Sequence, residues 1–250
     1  MAIQSAEFLL INNNNTRTKF ALSTRQELLE HRAIETTDVS EESVAGITEN
    51  WQYEKVILAS VVPSNIPVLV KSQAGRPCIR VNHEIELGIM IDFPSPESVG
   101  ADRLANAAAV AGDVDKKPLI VVDFGTAVTF DIVDTRPAYV GGVIAPGLES
   151  MTRYLHERTA LLPRIEIKKP DSAIGKSTEQ AMLSGAFHGY RGLVIEIINQ
   201  IGAELGSRAK VVATGGYADL ISRNLSAIES VDPFLTMQGL RKIANLNFPI

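Results

Sequence analysis

The chain has 250 residues, of which 45% are apolar and 21% are charged, and this is the composition of a globular protein with one large or two modest domains. Its net charge of -5, from 24 basic and 29 acidic side chains, argues against a nucleic-acid-binding or anionic-membrane-binding surface. Because Cys78 is the only cysteine, we expect neither an internal disulfide nor a Cys/His metal cluster.

The first apolar run of the chain is short. It covers only residues 8–11, fewer than the core of a signal peptide requires, and no window approaches membrane-spanning length. We therefore expect a cytoplasmic protein that acts on a small molecule and binds neither nucleic acid nor membrane.

A strand-turn-strand pattern occurs twice in the sequence. Residues 9–20 read Leu-Leu-Ile-Asn-Asn-Asn-Asn-Thr-Arg-Thr-Lys-Phe, and residues 120–131 read Ile-Val-Val-Asp-Phe-Gly-Thr-Ala-Val-Thr-Phe-Asp. Each pattern has an apolar run, a small polar turn and a second run rich in β-branched residues, which predicts a β-hairpin. A protein built from two such halves can close them on one ligand.

Between the two hairpins, the pattern predicts a helix at 40–50, a strand at 55–60 and an alanine-rich helix at 100–112. This alternation of strands and helices indicates an α/β architecture. A charged segment at 113–118 ends in proline and directly precedes the second hairpin, so we place the domain boundary there. The predicted domains are 1–115 and 116–250.

After the second hairpin, we predict a strand at 139–144, a helix after Gly147 and a long helix at 178–205. Apolar residues in the long helix recur every three or four positions and predict one buried face. They are Leu183, Phe187, Tyr190, Val194, Ile197, Ile201 and Leu205. Three glycines, Gly185, Gly189 and Gly192, indicate either close approach of another helix, from this chain or a second copy, or an irregular surface helix.

The phosphate-binding motifs that are most readily recognised in sequences do not fit. Residues 175–178 read Gly-Lys-Ser-Thr, like the end of a P-loop, but the glycine required five residues earlier is Pro170. The chain also has no G-x-G-x-x-G after a strand. A phosphate site must therefore come from the paired hairpins.

The ordered set of motifs resembles one family. The motifs are Gly-Ala-Asp-Arg at 100–103, Asp-x-Gly-Thr at 123–126, Gly-Gly at 141–142, Pro-Gly at 146–147, Gly-Lys-Ser-Thr at 175–178, Ala-Thr-Gly-Gly at 213–216 and Leu-Thr-Met-Gln-Gly-Leu at 235–240. With the hairpins, they resemble the type III pantothenate kinases of the actin and sugar-kinase superfamily. The resemblance implies an α/β fold of two duplicated ribonuclease-H-like domains with a nucleotide cleft between them.

The activity that the resemblance implies is the ATP-dependent phosphorylation of pantothenate to 4'-phosphopantothenate, the first step of coenzyme A biosynthesis. Asp102 matches the general base, and the implied substrate-binding residues are Phe93, Gly100, Ala101, Arg103 and Thr178. The residues themselves also allow simpler roles. Asp102 could complement the dipole of its helix, Arg103 could be a solvated charge, and Thr178 could be a helix N-cap.

The implied cofactors are ATP, Mg²⁺ and a monovalent cation, K⁺ or NH₄⁺, with Asp123 holding the monovalent cation. Asp123 could instead cap its own turn, and the Gly215-Gly216 pair could form an ordinary strand-to-helix turn. The implied ATP-binding residues are Asn12, Asn14, Asn15, Thr16, Lys19, Gly125, Thr126, Gly215 and Gly216. The resemblance also implies a homodimer, in which Thr178 contacts the substrate of the second subunit.

The sequence departs from the family pattern at three positions. Asn12 and Asn14 replace an aspartate and a glycine, so the first turn lacks a negative charge that helps to hold hydrated Mg²⁺, and a side chain stands where a phosphate must approach. Phe93 replaces a tyrosine and removes one hydroxyl. Two alternatives to the kinase therefore stay open: a catalytically impaired binding or regulatory protein, and a kinase for another hydroxylated acid.

Overall fold

The computed structural model describes residues 3–73, 75–113 and 117–250. The chain forms two compact units. The first contains Met1–Asp113, Arg136–Val140 and Phe234–Ile250, and the second contains Val114–Thr135 and Gly141–Pro233. The boundary predicted between residues 115 and 116 lies outside the described residues, and the predicted domain limits stay a prediction.

The described residues form short strands and helices that alternate along the chain. The strands are β1 (Gln4–Ser5), β2 (Phe8–Asn13), β3 (Arg17–Ser23), β4 (Leu28–Glu35), β5 (Trp51–Gln52), β6 (Lys55–Ser60), β7 (Cys78–Arg80), β8 (Met90–Ile91), β9 (Leu119–Phe124), β10 (Ala127–Val133), β11 (Ala138–Pro146), β12 (Lys210–Thr214) and β13 (Ser230–Val231). The α-helices are α1 (Glu41–Ile47), α2 (Ile66–Lys71), α3 (Ala101–Val110), α4 (Leu148–Arg158), α5 (Thr178–Glu204), α6 (Ala218–Ser222) and α7 (Leu235–Asn247).

The first unit is built on a five-stranded sheet in the order β4-β3-β2-β6-β7. β2 pairs antiparallel with β3, as the first hairpin predicts, and parallel with β6, which lies at the predicted 55–60. Along β2, Leu9 and Ile11 join the core cluster that includes Val44 of α1 and Leu69 of α2. Because side chains alternate along a strand, Asn12 lies on the opposite face, the side on which α7 packs.

The second unit repeats this plan. Its strands lie in the order β13-β12-β9-β10-β11. In both sheets, the first strand of the hairpin pairs antiparallel with the second strand of the hairpin and, on its other side, parallel with a later strand. The α/β fold with two similar halves is thereby confirmed. Within the described residues, no helix has the length and apolar character needed to cross a membrane.

Helix α5 begins at the predicted residue and ends one residue before the predicted end. Its buried face includes Phe187, Tyr190, Val194 and Ile201, as predicted, but Ile198 is buried in place of Ile197. Leu205, which was also predicted on this face, is only partly buried and follows the end of the helix. The N-cap is Ser177, whose hydroxyl accepts the backbone N–H of Gln180 at 3.2 Å, and not Thr178.

The three glycines of α5, at 185, 189 and 192, lie on its exposed side. No described atom comes within 4 Å of the position that a β-carbon would occupy at any of them. The close helix approach that these glycines predict is therefore not made within the described part of this chain.

Candidate active site

A buried polar network holds the turn of the first hairpin. The amide of Asn13 donates to the hydroxyl of Thr18 at 2.7 Å and accepts a hydrogen bond from Ser60 at 2.7 Å. Thr36 extends this network, because its hydroxyl lies 3.0 Å from that of Thr18 and donates to the carbonyl oxygen of Asn14 at 2.6 Å. Every link of this network is buried or partly buried, so the hydrogen bonds hold the backbone of the turn in place.

The predicted phosphate-binding residues of this turn differ in their surroundings. Asn12 is only 2% exposed, and it lies opposite Lys19 in the β2–β3 ladder. Asn14 is partly buried, whereas Asn15 and Thr16 are exposed. The side-chain oxygens of Asn12 and Asn14 are buried and find no hydrogen-bond donor among the described residues. Two carbonyl acceptors in this state fit a cation, or water bound to a cation.

The N-terminus of α3 lies next to the ends of β2 and β6. The backbone N–H of Val61, just after β6, donates to the carbonyl oxygen of Asn13 at 3.0 Å. A β-carbon on Gly100, the N-cap of α3, would lie 3.6 Å from a methyl group of Val61. Ligands of α/β proteins bind at the carboxyl ends of parallel strands, and this edge therefore joins two sets of predicted site residues.

Asp102 lies in the first turn of α3, between the predicted substrate-binding residues Ala101 and Arg103. One carboxylate oxygen accepts the backbone N–H of Arg103 at 2.9 Å. The same oxygen would be 2.7 Å from a β-carbon on Gly100, so a side chain at position 100 would displace the carboxylate from its present position. Burial raises the pKa of Asp102, while the hydrogen bond from Arg103 and its positive charge act in the opposite direction.

Arg103 and Phe93 both contact Tyr139, which the sequence analysis did not identify as a site residue. The guanidinium carbon of Arg103 lies 5.8 Å from the centre of the Tyr139 ring. The Phe93 ring lies 6.1 Å from the same ring at an interplanar angle of 72°. The only sequence signal for Tyr139 is an aromatic residue at the start of the predicted strand 139–144, and such residues usually pack in cores.

The turn of the second hairpin is contacted by the start of α4. Asp123 lies next to the last residue of β9, and Gly125 and Thr126 form the exposed turn that leads to β10. Gly147 donates its N–H to the carbonyl oxygen of Thr126 at 3.1 Å, and a β-carbon there would lie 2.3 Å from that oxygen. Ser150 donates to the same carbonyl at 3.2 Å. The start of α4 therefore fixes this turn, which the sequence analysis did not foresee.

Gly215 and Gly216 follow β12 and lie beside the carboxylate of Asp123. Gly215 has φ +95°, and a β-carbon there would lie 2.5 Å from a carboxylate oxygen of Asp123 and 2.6 Å from the nitrogen of Phe124. Only glycine fits this backbone and this space. The phenol of the next residue, Tyr217, donates a short hydrogen bond to Glu149. Burial, and then the Glu149 hydrogen bond and negative charge, raise the pKa of Tyr217.

Thr178 is exposed at the first position of α5. Its neighbours Ser177 and Glu179 line a cavity of about 580 Å³ in the second unit, together with residues between Arg164 and Leu183. The contact of Thr178 with the substrate of a second subunit stays a prediction.

Comparisons with known proteins identify the family of this chain. A family model described as type III pantothenate kinase matches residues 8–200. The type III pantothenate kinase of Akkermansia muciniphila is 48% identical over 96% of this chain and 99% of its own length, and that of Methylacidiphilum infernorum is 44% identical over 95% and 88%. A solved Baf family protein from Campylobacter jejuni has a similar fold, with a TM-score of 0.61 at 19% identity over 95% of this chain and 97% of its own.

Proposed function

The chain belongs to the type III pantothenate kinase family, and we propose that it transfers the γ-phosphoryl group of ATP to pantothenate, the first step of coenzyme A biosynthesis. The observation that carries the proposal is the partly buried carboxylate of Asp102 at the N-terminus of α3, beside Arg103 and the end of the first hairpin.

Asp102 is the proposed general base. The substrate hydroxyl attacks the γ-phosphorus, its proton passes to the carboxylate, and the bond between the γ-phosphorus and the β–γ bridging oxygen breaks, so that ADP leaves. A carboxyl group whose pKa is raised by burial is a stronger base than one in water, which supports this role. Asp102 also positions the hydroxyl, and phosphoryl transfer depends chiefly on such alignment.

Arg103 is the proposed partner of the pantothenate carboxylate. Its guanidinium provides paired N–H donors that match the two oxygens of a carboxylate. Arg103 follows Asp102 directly in α3, so the two residues would hold the two functional ends of the substrate from one rigid helix. Gly100 and Ala101 contribute backbone to the same site, and Phe93 contributes an apolar wall.

The turn of the first hairpin is the proposed site for the ATP phosphates, with Lys19 as the cation facing them. A nucleotide-bound Mg²⁺ is usually held by one or two protein oxygens together with phosphate oxygens and water. The buried acceptor oxygens of Asn12 and Asn14 fit this requirement and would hold the hydrated ion. When bound, Mg²⁺ supplies neutralisation of the charge on the phosphates. Asn15 and Thr16 complete the turn.

The turn of the second hairpin is the proposed second ATP contact, through Gly125, Thr126, Gly215 and Gly216. Asp123 is the proposed ligand of a monovalent cation, K⁺ or NH₄⁺. The tight packing of Gly215 against the Asp123 carboxylate supports this role, because it fixes the position of the carboxylate. Replacing K⁺ by Na⁺ at constant ionic strength should lower the rate, and NH₄⁺ should restore it.

A cytoplasmic homodimer is the proposed form of the enzyme. The second unit carries exposed large apolar side chains that a partner subunit would cover. They are Ile144, Tyr154, Leu155, Leu161 and Ile174. The exposed glycine side of α5 begins just after Thr178 and offers a surface on which a second helix could pack closely. Thr178 would then reach the substrate of the neighbouring subunit.

A coupled assay tests the proposed function directly. The purified chain, with pantothenate, millimolar ATP, Mg²⁺ and K⁺, should release ADP and form 4'-phosphopantothenate. Omission of pantothenate should abolish the release. Tight binding of ATP and pantothenate without turnover would favour a binding or regulatory protein instead. Turnover with other hydroxylated acids, but not with pantothenate, would favour a kinase for another substrate.

A further inference from the structure

The segment at 164–169 reads Arg-Ile-Glu-Ile-Lys-Lys and lies between α4 and α5, outside the helices and strands of the structure. We infer that this segment, here called the strap, pairs antiparallel with the strap of a second copy of the chain and so forms part of a dimer interface. The inference rests on the proposed function, because it identifies the contact surface of the proposed homodimer.

The strap has the sequence pattern of a β-strand. Ile165 and Ile167 alternate with Arg164, Glu166 and Lys168, which is the period of a strand with one apolar and one charged face. The exposure follows this alternation, because the two isoleucines are partly buried and the three charged residues are exposed. A proline on each side of the strap disfavours a helix. The local sequence therefore favours an extended segment.

The strap has no strand partner within the described part of its own chain. None of the residues 164–169 makes a hydrogen bond to another described residue, through either its backbone or its side chain. Backbone groups of a strand are normally paired, and an edge without a partner is a template on which another chain can pair. A second molecule can supply the neighbour that the described chain does not.

The chain holds both ends of the strap in place. Before the strap, the N–H of Leu162 donates to the hydroxyl of Thr159 at 3.2 Å. After it, the hydroxyl of Ser184 in α5 donates to the carbonyl oxygen of Ala173 at 2.6 Å. The strap also lines the cavity of about 580 Å³ beside the start of α5, so one side of it faces open space. A segment fixed at both ends loses little conformational freedom when a partner binds.

Exposed apolar side chains near the two ends of the strap favour a protein partner over a small ligand. Leu161 is 90% exposed and Ile174 is 71% exposed. Tyr154 and Leu155, in the helix that precedes the strap, are exposed as well. Apolar groups of this kind are typical of a surface that another protein covers. We therefore assign the strap to the interface of the proposed homodimer.

The charges of two straps are complementary when the pair is centred on an isoleucine. With a two-fold axis at Ile165, Arg164 lies opposite Glu166 of the partner subunit, and the reverse pair forms on the other side of the axis. With the axis at Ile167, Glu166 lies opposite Lys168 of the partner subunit. With the axis at Glu166, by contrast, two glutamates would face each other. The charge pattern therefore selects pairing about Ile165 or Ile167.

Cysteine cross-linking tests the inference, in a Cys78→Ser background that leaves no other thiol. Residues directly opposite each other in an antiparallel pair have Cα atoms about 4.5–5.5 Å apart, which is within the range of a disulfide. Mild oxidation of the full chain should therefore link either Ile165→Cys or Ile167→Cys into covalent dimers, depending on which residue lies at the axis.

Two controls separate strand pairing from random collision. Glu166→Cys lies on the strap but off the axis, so its nearest copy would be a diagonal neighbour about 7–8 Å away, beyond the range of a disulfide. Gly46→Cys lies at an exposed position of α1 in the first unit. Neither control should form covalent dimers under the conditions that link the axial cysteine.

Charge reversal tests the pairing independently. Glu166→Lys replaces two opposite-charge pairs across the axis by two like-charge pairs, and it should weaken the dimer on the order of tenfold in sedimentation. The triple variant Arg164→Glu, Glu166→Lys, Lys168→Glu is again complementary between identical copies. It should therefore dimerise like the parent.

Two results would overturn the inference and leave the proposed homodimer intact. One is a dimer in which neither isoleucine position cross-links, which would assign the strap to another occupant. The other is a triple variant that dimerises as weakly as Glu166→Lys. A parent chain that sediments as a monomer would overturn both the inference and the proposed homodimer, whereas the coupled assay tests the kinase activity separately.

Discussion

The contact between α7 and α3 is close enough that one methyl group should disturb the proposed site. A β-carbon on Gly239 of α7 would lie 1.8 Å from the carbonyl oxygen of Ala105 in α3, whereas ordinary contacts begin at 3.4 Å. The obstacle is backbone, so no side-chain rotation relieves it. Nearby, Thr236 donates to Asn106 at 2.7 Å between two buried side chains. We predict that Gly239→Ala pushes α3 away from α7.

The size of the effect follows from this geometry. Overpacking in a core costs about 1–3 kcal/mol, and each kcal/mol lowers the Tm of a protein of this size by about 2–4 °C, so Gly239→Ala should lower the Tm by roughly 2–12 °C. Asp102 lies less than one helical turn before Ala105. A 1 Å displacement of a reacting group costs on the order of 10²-fold in rate, so kcat should fall by about that factor even at temperatures where the variant stays folded.

Two Gly→Ala variants, Gly239→Ala and a matched control, test this reasoning by thermal unfolding and by the coupled assay. The matched control is Gly46→Ala in α1, where no described atom lies within 4 Å of the added carbon. In an unobstructed helix, alanine is more favourable than glycine by about 0.5–1 kcal/mol, so the control should be unchanged or slightly more stable. A Gly239→Ala variant with the Tm and kcat of the parent would contradict this reasoning, because it would show that α3 and α7 accommodate the methyl group without moving apart.

The remaining predictions concern the site itself. Asp102→Asn should lower kcat by about 10²–10⁴ with ATP binding retained, and equal turnover would remove Asp102 from the mechanism. Burial raises the pKa of Asp102, so the ionised carboxylate lowers the free energy of unfolding at pH values above that pKa. Asp102→Asn should therefore raise the Tm at pH 7 but not at an acidic pH at which Asp102 is protonated, and thermal melts at these two pH values test this. Asn12→Asp keeps both buried acceptor oxygens of the turn and adds a negative charge, so it should tighten Mg²⁺-ATP binding, and a tenfold gain in kcat/KM would correspond to about 1.4 kcal/mol; weaker binding would contradict the proposed Mg²⁺ position at this turn. Gly215→Ala should raise the KM for ATP, since its methyl group would lie 2.5 Å from the Asp123 carboxylate, and an unchanged KM would argue against the second turn as an ATP contact. Sedimentation should show a homodimer at micromolar concentration, and a fully active monomer would contradict this.

Local sequence patterns predicted the elements that are determined by local chemistry. The strand at 55–60 has the predicted bounds, and both hairpins are present, because their apolar runs and polar turns are continuous in sequence. Helix α5 was predicted to within one residue for the same reason. Its buried face was predicted less accurately, since neighbours in the second unit bury Ile198 instead of Ile197, and a helical period does not distinguish adjacent positions at the edge of a stripe.

Long-range contacts set the features that the sequence analysis missed. The location of Gly147 beside the turn at Thr126 depends on a backbone contact across the fold. Tyr139 contacts Phe93 because β11 pairs with β8, and it contacts Arg103 of α3, which is distant in sequence; no local pattern reports either contact. The motif order identified the family, whereas these supporting residues became visible only in three dimensions.

The first unit is built from three separate stretches of the chain, so the order of synthesis affects when it can fold. Chains emerge from the ribosome N-terminus first, and Phe234–Ile250, which includes α7, emerges after the whole of the second unit. The helix that carries Asp102 therefore lacks its close-packed neighbour until α7 has been translated, and by then the second unit, which ends at Pro233, is already fully translated. We expect a nascent chain without α7 to be inactive as a kinase and sensitive to proteases in its first unit. Fragments cut at residue 113 should fail to reproduce that unit for the same reason.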